Sequence, residues 1–235
     1  VIVLRSLLFN LLFYLVLLVL LVASLPTLLM PRGAILGIAK LWGLINLWLL
    51  KVVCGTEVEI KGRDKIPSGP LLVAAKHQSA WETFALAPLF ADPTYIIKRE
   101  LTWLPLFGWY LLKAGLIPID RGSPVRALAR MTARVKRALA EGRQIIIFPE
   151  GTRRPPGAPP AYKSGIVHLY AETGVPCLPI ALNSGRFWPR RSFLRRPGTI
   201  RVEILDPILP GLTKKEFAER LEHAIEGACA RMDHR

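Results

Sequence analysis

The sequence predicts an α/β fold: a mostly parallel sheet flanked by helices, preceded by an N-terminal membrane-embedded two-helix motif. Three observations lead there. From residue 56 onward, short strand-like runs alternate with stretches of helical period. The runs at 71–75, "LLVAA", and 143–148, "RQIIIF", have the apolar character of buried strands. Residues 1–54 hold two long apolar segments.

The first of these, 6–25, contains only Ser6, Asn10, Tyr14 and Ser24 as polar or half-polar residues. At about 1.5 Å per residue it is long enough to span a hydrocarbon core. Pro26 and Pro31 break it. The second, 34–54, carries Lys40 and Lys51 with Trp42 and Trp48 between them. Such a helix lies near headgroups, with Trp at the interface and Lys snorkelling. The pair reads as a retained hairpin, or as a span followed by an interfacial helix. Residues 1–54 are therefore expected to anchor the chain and 55–235 to form the α/β domain. Arg5 is the only charge before the first segment's apolar run, while the rest is basic. The positive-inside tendency puts the domain on the cytoplasmic face of an inner membrane.

Within the domain, strands are expected at 56–61, 71–75, 94–97, 116–119, 143–148, 176–182 and 199–205. The clearest helix starts at Ser123, an N-cap followed by Pro124, and ends before Gly142. Its apolar side includes Val125, Leu128, Val135 and Leu139. The last helix opens with "TKKE", a capping box from Thr213 to Glu216.

The 235 residues carry a formal net charge of +15, which favours polyanionic partners. Beside the apolar N-terminus, an anionic membrane surface is the first expectation. Arg126, Arg130 and Arg134 form a stripe on the long helix, either a solvated face or a contact for an acidic carrier protein or lipid. The stretch 185–198, "GRFWPRRSFLRRPG", interleaves arginines with Phe187, Trp188 and Phe193, as an interfacial membrane contact does. It would also suit stacking on single-stranded nucleic acid, but no nucleic-acid-binding motif accompanies it and no nucleic acid partner is expected. Cys54, Cys177 and Cys229 are widely spaced and read as reduced thiols, with no disulfide framework and no metal site.

Four blocks stand at the ends of expected strands, where ligands of open α/β sheets bind. "KHQSAWETF", residues 76–84, places His77 five positions before Glu82. On an unbroken helix the two would point about 140° apart. A turn after the strand would let the carboxylate take one ring N–H and leave the other nitrogen free for a proton. The alternative is a surface histidine near a helix start. "AGLIPIDRG", 114–122, puts Asp120 and Arg121 after a strand, as a phosphate site or an ordinary ion pair. "FPEGTRR", 148–154, sets Glu150 between Pro149 and Gly151, where glycine permits a sharp turn and close ligand approach. "VPCLPIAL", 175–182, is a strand shaped by two prolines.

In this order the blocks resemble the glycerophospholipid acyltransferase family. His77 and Glu82 match its H-x-x-x-x-D motif, with Glu in place of Asp. Gly115, Ile119, Asp120 and Arg121 match G-x-x-x-I-D-R, residues 148–153 match F-P-E-G-T-R, and Val175, Pro176 and Pro179 match its fourth motif. "KRELTWLPLFGWYL", 98–111, is similar to the segment that the family places between its first two motifs. The resemblance implies transfer of a fatty acyl group from a thioester donor, acyl-CoA or acyl carrier protein, to a lysophospholipid acceptor such as 1-acylglycerol 3-phosphate. Another lysolipid or glycerol 3-phosphate is the alternative acceptor. It implies His77 as base and Glu82 as its orienting carboxylate. Glu150, Gly151 and Thr152 would shape the glycerol site, and Arg121, Arg153 and Lys98 would bind phosphate. Ser79 is an alternative nucleophile by its nearness to His77. No cofactor or metal is implied, because a thioester is already activated.

Overall fold

A strand apolar at every position needs cover on both faces, and Leu71–Ala75 has it. This computed structural model describes residues 1–119 and 124–233. Helices α1 (Ile2–Ala23) and α2 (Arg32–Cys54) come first. Strand β1 (Thr56–Lys61), β2 (Leu71–Ala75), a short helix α3 (Glu82–Ala85) and β3 (Pro93–Lys98) follow. Then come α4 (Phe107–Lys113), β4 (Ile117–Ile119), α5 (Pro124–Ala140), β5 (Gln144–Ile147) and α6 (Ser164–Thr173). Strands β6 (Cys177–Leu182) and β7 (Gly198–Ile204) and helix α7 (Lys214–Asp233) complete the chain.

The strands form one sheet in the order β1-β7-β6-β2-β5-β3-β4. Strands β6, β2, β5, β3 and β4 run parallel, β7 is antiparallel to β6, and β1 runs parallel to β7. The mostly parallel sheet is thus as expected, with strand ends shifted by a residue or so. Because β2, β3, β5 and β6 share a direction, the blocks after them emerge at one edge.

Alternation along β2 divides the core. Leu72 and Ala74 join Ile145, Ile147 and Cys177 beneath α5, α6 and α7, where Val135, Leu169, Phe217 and Leu221 are buried. Leu71, Val73 and Ala75 face the other way, toward Ile146, Leu178, Trp81 and Phe84. The N-terminal hairpin covers that second face, inserting Phe9, Leu49 and Leu50 into the same core. The expected capping box is present: Thr213 N donates to Glu216 Oε2 at 2.9 Å and Glu216 N to Thr213 Oγ1 at 3.3 Å.

Helix α2 is tied to the domain along its length. Arg32 pairs with Asp92 and donates to Ala114 O at 2.7 Å. Lys40 Nζ donates to the carbonyls of Phe90 and Ala91 at 2.7 and 2.8 Å. So Lys40 caps a loop rather than snorkelling, and Trp42 packs on Phe13 and Phe84. Trp48 and Lys51 do face outward as the interfacial pattern anticipates. Helix α1 leaves a broad apolar side exposed, including Leu4, Leu11, Leu15 and Leu18.

Trp188 and Arg195 depart from the interfacial expectation for residues 185–198. Trp188 is buried against Phe9, Phe13 and Phe84, and the Arg195 guanidinium lies 3.9 Å from its ring centroid. Arg195 N donates to Ser6 Oγ at 2.8 Å, its guanidinium donates to Asn10 Oδ1 at 2.9 Å, and Asn10 Nδ2 donates to Phe193 O at 2.8 Å. The two polar residues near the start of α1 therefore clasp this loop, and an aromatic cluster buries Trp188 within what looked like a surface stretch. Phe193, Arg186, Arg190, Arg191 and Arg196 remain exposed.

Candidate active site

Strand β2 ends at Ala75, and the chain turns before α3 starts at Glu82. That turn folds the imidazole back on the carboxylate. His77 Nδ1 lies 2.8 Å from Glu82 Oε1. The same oxygen accepts from Gln78 N at 2.7 Å and Ser79 N at 2.8 Å. Oε2 accepts from Ser79 Oγ at 3.0 Å and, across the sheet edge after β6, from Ser184 Oγ at 2.8 Å. Glu82 is fully buried. Burial pushes its carboxyl up, but the His77 hydrogen bond and charge and the backbone donors outweigh this and hold it below the ordinary range. An ionised carboxylate only accepts, so Nδ1 carries the proton and Nε2 is left to act as a base. The His77 ring stacks on Phe148, centroids 4.0 Å apart.

Ser79 is buried, donates to Glu82 and accepts from Trp81 N at 2.9 Å. It braces the turn and is not presented as a nucleophile. Gln78, also buried, accepts from Gly185 N at 3.0 Å, which brings the loop after β6 against the first block.

The "FPEGTRR" block leaves β5 beside this turn, and Arg154 N donates to His77 O at 2.8 Å. Gly151 has φ of 64° and its N–H closes the turn onto Phe148 O at 2.9 Å. That left-handed conformation favours glycine. Glu150 is buried, and its Oε1 lies 3.2 Å from Lys76 Nζ and 3.5 Å from Arg154 Nε. Lys76 also meets Glu226 of α7 at 2.7 Å, where Tyr162 donates to the same oxygen at 2.9 Å. Among the described residues, Glu150 Oε2 is buried without a hydrogen-bond partner. Burial pushes the Glu150 carboxyl above the ordinary range, against the lowering by Lys76.

The structure thus brings together His77, Glu82, Glu150 and Gly151. Thr152 is exposed and Arg153 half-buried, with Arg190 donating to the Arg153 carbonyl at 2.9 Å. Lys98 is exposed at the end of β3, on the same edge, and no hydrogen bond ties it to His77, Glu82 or Glu150 among the described residues. Asp120 and Arg121 lie outside the described residues. No three His, Cys, Asp or Glu side chains are grouped to share a metal ion among the described residues.

Sequence reasoning missed Ser184, Glu226 and Tyr162, which come from distant parts of the chain. It also passed over Lys76 and Arg154, which sat inside or beside quoted blocks. A buried lysine next to a candidate base is the one signal that was available.

Residues 57–183 match the family model described as Acyltransferase. A 1-acyl-sn-glycerol-3-phosphate acyltransferase of Pseudomonas aeruginosa is 40% identical over 163 residues, covering 69% of this chain and 63% of that one. The 1-acyl-sn-glycerol-3-phosphate acyltransferase alpha of Homo sapiens is 30% identical over 75% of this chain and 65% of that one. The chain thus spans less than two thirds of the length of each of these curated relatives. The crystal structure of the 1-acyl-sn-glycerophosphate acyltransferase PlsC from Thermotoga maritima superposes with a TM-score of 0.81 over 99% of both chains, at 24% identity. At that identity the likeness is one of fold.

Proposed function

The chain belongs to the Acyltransferase family, and from that premise we propose that it acylates the free hydroxyl of 1-acylglycerol 3-phosphate to give phosphatidic acid. The donor in this proposal is a thioester, acyl-CoA or acyl carrier protein, and the product feeds phospholipid synthesis. The observation that carries the reading is the Nδ1–Glu82 hydrogen bond, which aims a basic Nε2 away from a buried carboxylate.

The acceptor hydroxyl loses its proton to His77 Nε2 as its oxygen attacks the thioester carbonyl. The tetrahedral adduct collapses, the C–S bond breaks, and the imidazolium returns the proton to the departing thiolate. Glu82 stabilises the imidazolium in between. No side chain of the protein is acylated. Glu150 Oε2, buried and unpaired among the described residues, is suited to accept from a glycerol hydroxyl beside Gly151 and Thr152. Arg153, Arg121 and Lys98 supply positive charge for the phosphate. The reaction proposed calls on no cofactor beyond the thioester co-substrate.

The two N-terminal helices, 22 and 23 residues long and apolar enough to cross a membrane by length and composition, support membrane attachment. In this reading the hairpin is embedded and the domain sits on the cytoplasmic face of the inner membrane, where the acceptor lipid resides.

Incubating the purified chain with a labelled acyl-CoA and, separately, 1-acylglycerol 3-phosphate, glycerol 3-phosphate and lyso-ornithine lipid tests the reading. Preferred acylation of the first supports it. Preference for another acceptor keeps the chemistry and replaces the substrate, and transfer to none overturns both.

A further inference from the structure

The segment between β3 and β4 has no role in the chemistry above, yet it carries a conspicuous apolar surface. Leu101, Trp103, Leu104, Trp109 and Leu112 are 38%, 64%, 48%, 54% and 53% exposed. Helix α4 has its polarity reversed for a water-facing element. Tyr110 turns inward and Gly108 is buried against Thr102 of the preceding turn, while Trp109 and Leu112 make up the exposed outer side, with half-buried Lys113 beside them. A helix at a protein–water boundary puts charges on that outer side.

The patch is held in shape rather than left loose. A Cβ on Gly108 would sit 2.2 Å from Thr102 O, so glycine alone lets α4 fold tightly onto the preceding turn. Gly108 N donates to Leu104 O at 2.8 Å, and Thr102 Oγ1 to Arg99 O at 2.7 Å. Leu106 holds a φ of 60°, a conformation that leucine adopts only under constraint.

The patch is also continuous with the hairpin. Tyr110 Oη donates to Leu21 O at 2.7 Å, and Tyr110 and Ala114 share a small core with Ile35, packed by Leu21 and Leu28. Lys98, Arg99 and half-buried Lys113 border the patch in sequence, three cations to the one acid of the segment, exposed Glu100, and the Arg99 guanidinium lies 5.5 Å from the Trp103 ring centroid. Tryptophans on an apolar face edged by cations suit the boundary of an anionic bilayer.

We propose that this segment is a second membrane-contacting element, laying Trp103, Leu104, Trp109 and Leu112 into the lipid beside the hairpin. The segment starts at the carboxyl end of β3, the edge of the sheet that carries His77 and Glu150, so it seats the rim of the site against the bilayer. The inference rests on the hairpin being membrane-embedded, and the test separates the two.

Single-tryptophan versions of the full chain, retaining only Trp48, Trp103 or Trp109 with Phe elsewhere, are mixed with phosphatidylcholine–phosphatidylglycerol vesicles whose acyl chains are brominated. Trp48, 61% exposed on α2, reports the hairpin. Quenching of Trp103 and Trp109 to the extent seen for Trp48 supports the proposal. Quenching of Trp48 alone overturns it and leaves the hairpin reading intact, and a change of oligomeric state in W103S/W109S would then assign the patch to a protein partner. Quenching of none overturns both. Because Trp81 and Trp188 are buried and their replacement can unfold the chain, a Leu104→Cys variant labelled with an environment-sensitive fluorophore provides a second reading; the three native cysteines are buried. A blue shift on vesicle addition supports the proposal. An unshifted spectrum from protein that floats with the vesicles overturns it.

Discussion

His77 and Glu82 are separated by five positions, yet Nδ1 of one lies 2.8 Å from Oε1 of the other. Glu82 then receives two backbone N–H groups and two serine hydroxyls besides. The amides fix Oε1, whereas the hydroxyls on Oε2 can rotate. A carboxamide could therefore keep its oxygen at Oε1 and offer its NH₂ to the serines.

Glu82→Gln is accordingly expected to fold but to lose the negative charge beside His77, which in the proposed mechanism stabilises the imidazolium. Its turnover should fall at least ~10²-fold with an unchanged circular dichroism spectrum. Glu82→Asp shortens the reach by one methylene and should fall between the two. Kinetics with a labelled thioester checks the series.

The two buried glutamates carry opposite pH signatures. Glu82 titrates below the ordinary value of 4.5, so its contribution to stability is present above that pH and lost as pH falls through its folded value. Glu150 titrates above the ordinary value, so its contribution is full at low pH and lost as pH rises through its folded value. Glu150→Gln removes the cost of a buried charge and, unlike loss of Lys76, leaves no unpaired ion, because Lys76 keeps Glu226 and the carboxamide oxygen still accepts from it. Its Tm at pH 7–8 should be no lower than that of the parent, although its activity falls. Thermal melts across pH check both signs.

Lys76 stands between two acids, 3.2 Å from Glu150 and 2.7 Å from Glu226. Lys76→Met leaves them without their shared cation and should cost about 3–5 kcal/mol, as breaking a buried pair does. K76M/E226Q should recover part of that loss in denaturant titration.

Arg195 joins the loop before β7 to α1. Burial lowers its pKa to about 10, and its guanidinium is held by Asn10 and the Trp188 face. Arg195→Ala should destabilise the chain by about 2 kcal/mol through the lost hydrogen bonds and cation–π contact. Faster proteolysis of residues 186–197 in the folded protein checks the loosened clasp.

Without acceptor, the protein should release no stoichiometric burst of thiol from the donor, because Ser79 and the three cysteines are buried. Rapid-mixing thiol detection checks this.

The strands were legible because buried runs such as "RQIIIF" declare themselves by composition. The dyad was legible because a strand ending at Ala75 forces a turn before Glu82, which removes the helical separation of the pair. What stayed hidden depends on packing over long sequence distances. Ser184 meets Glu82 across 102 positions and Glu226 meets Lys76 across 150, and no local period encodes such pairings. Trp188 looked interfacial because composition cannot tell an aromatic on a surface from one filling a gap between α1 and the sheet.

The most direct test of the central claim, that His77 takes the acceptor proton, is the turnover of His77→Ala with acyl-CoA and 1-acylglycerol 3-phosphate. A folded variant slowed at least ~10²-fold is the expected result; a folded variant with near-parental turnover would contradict it.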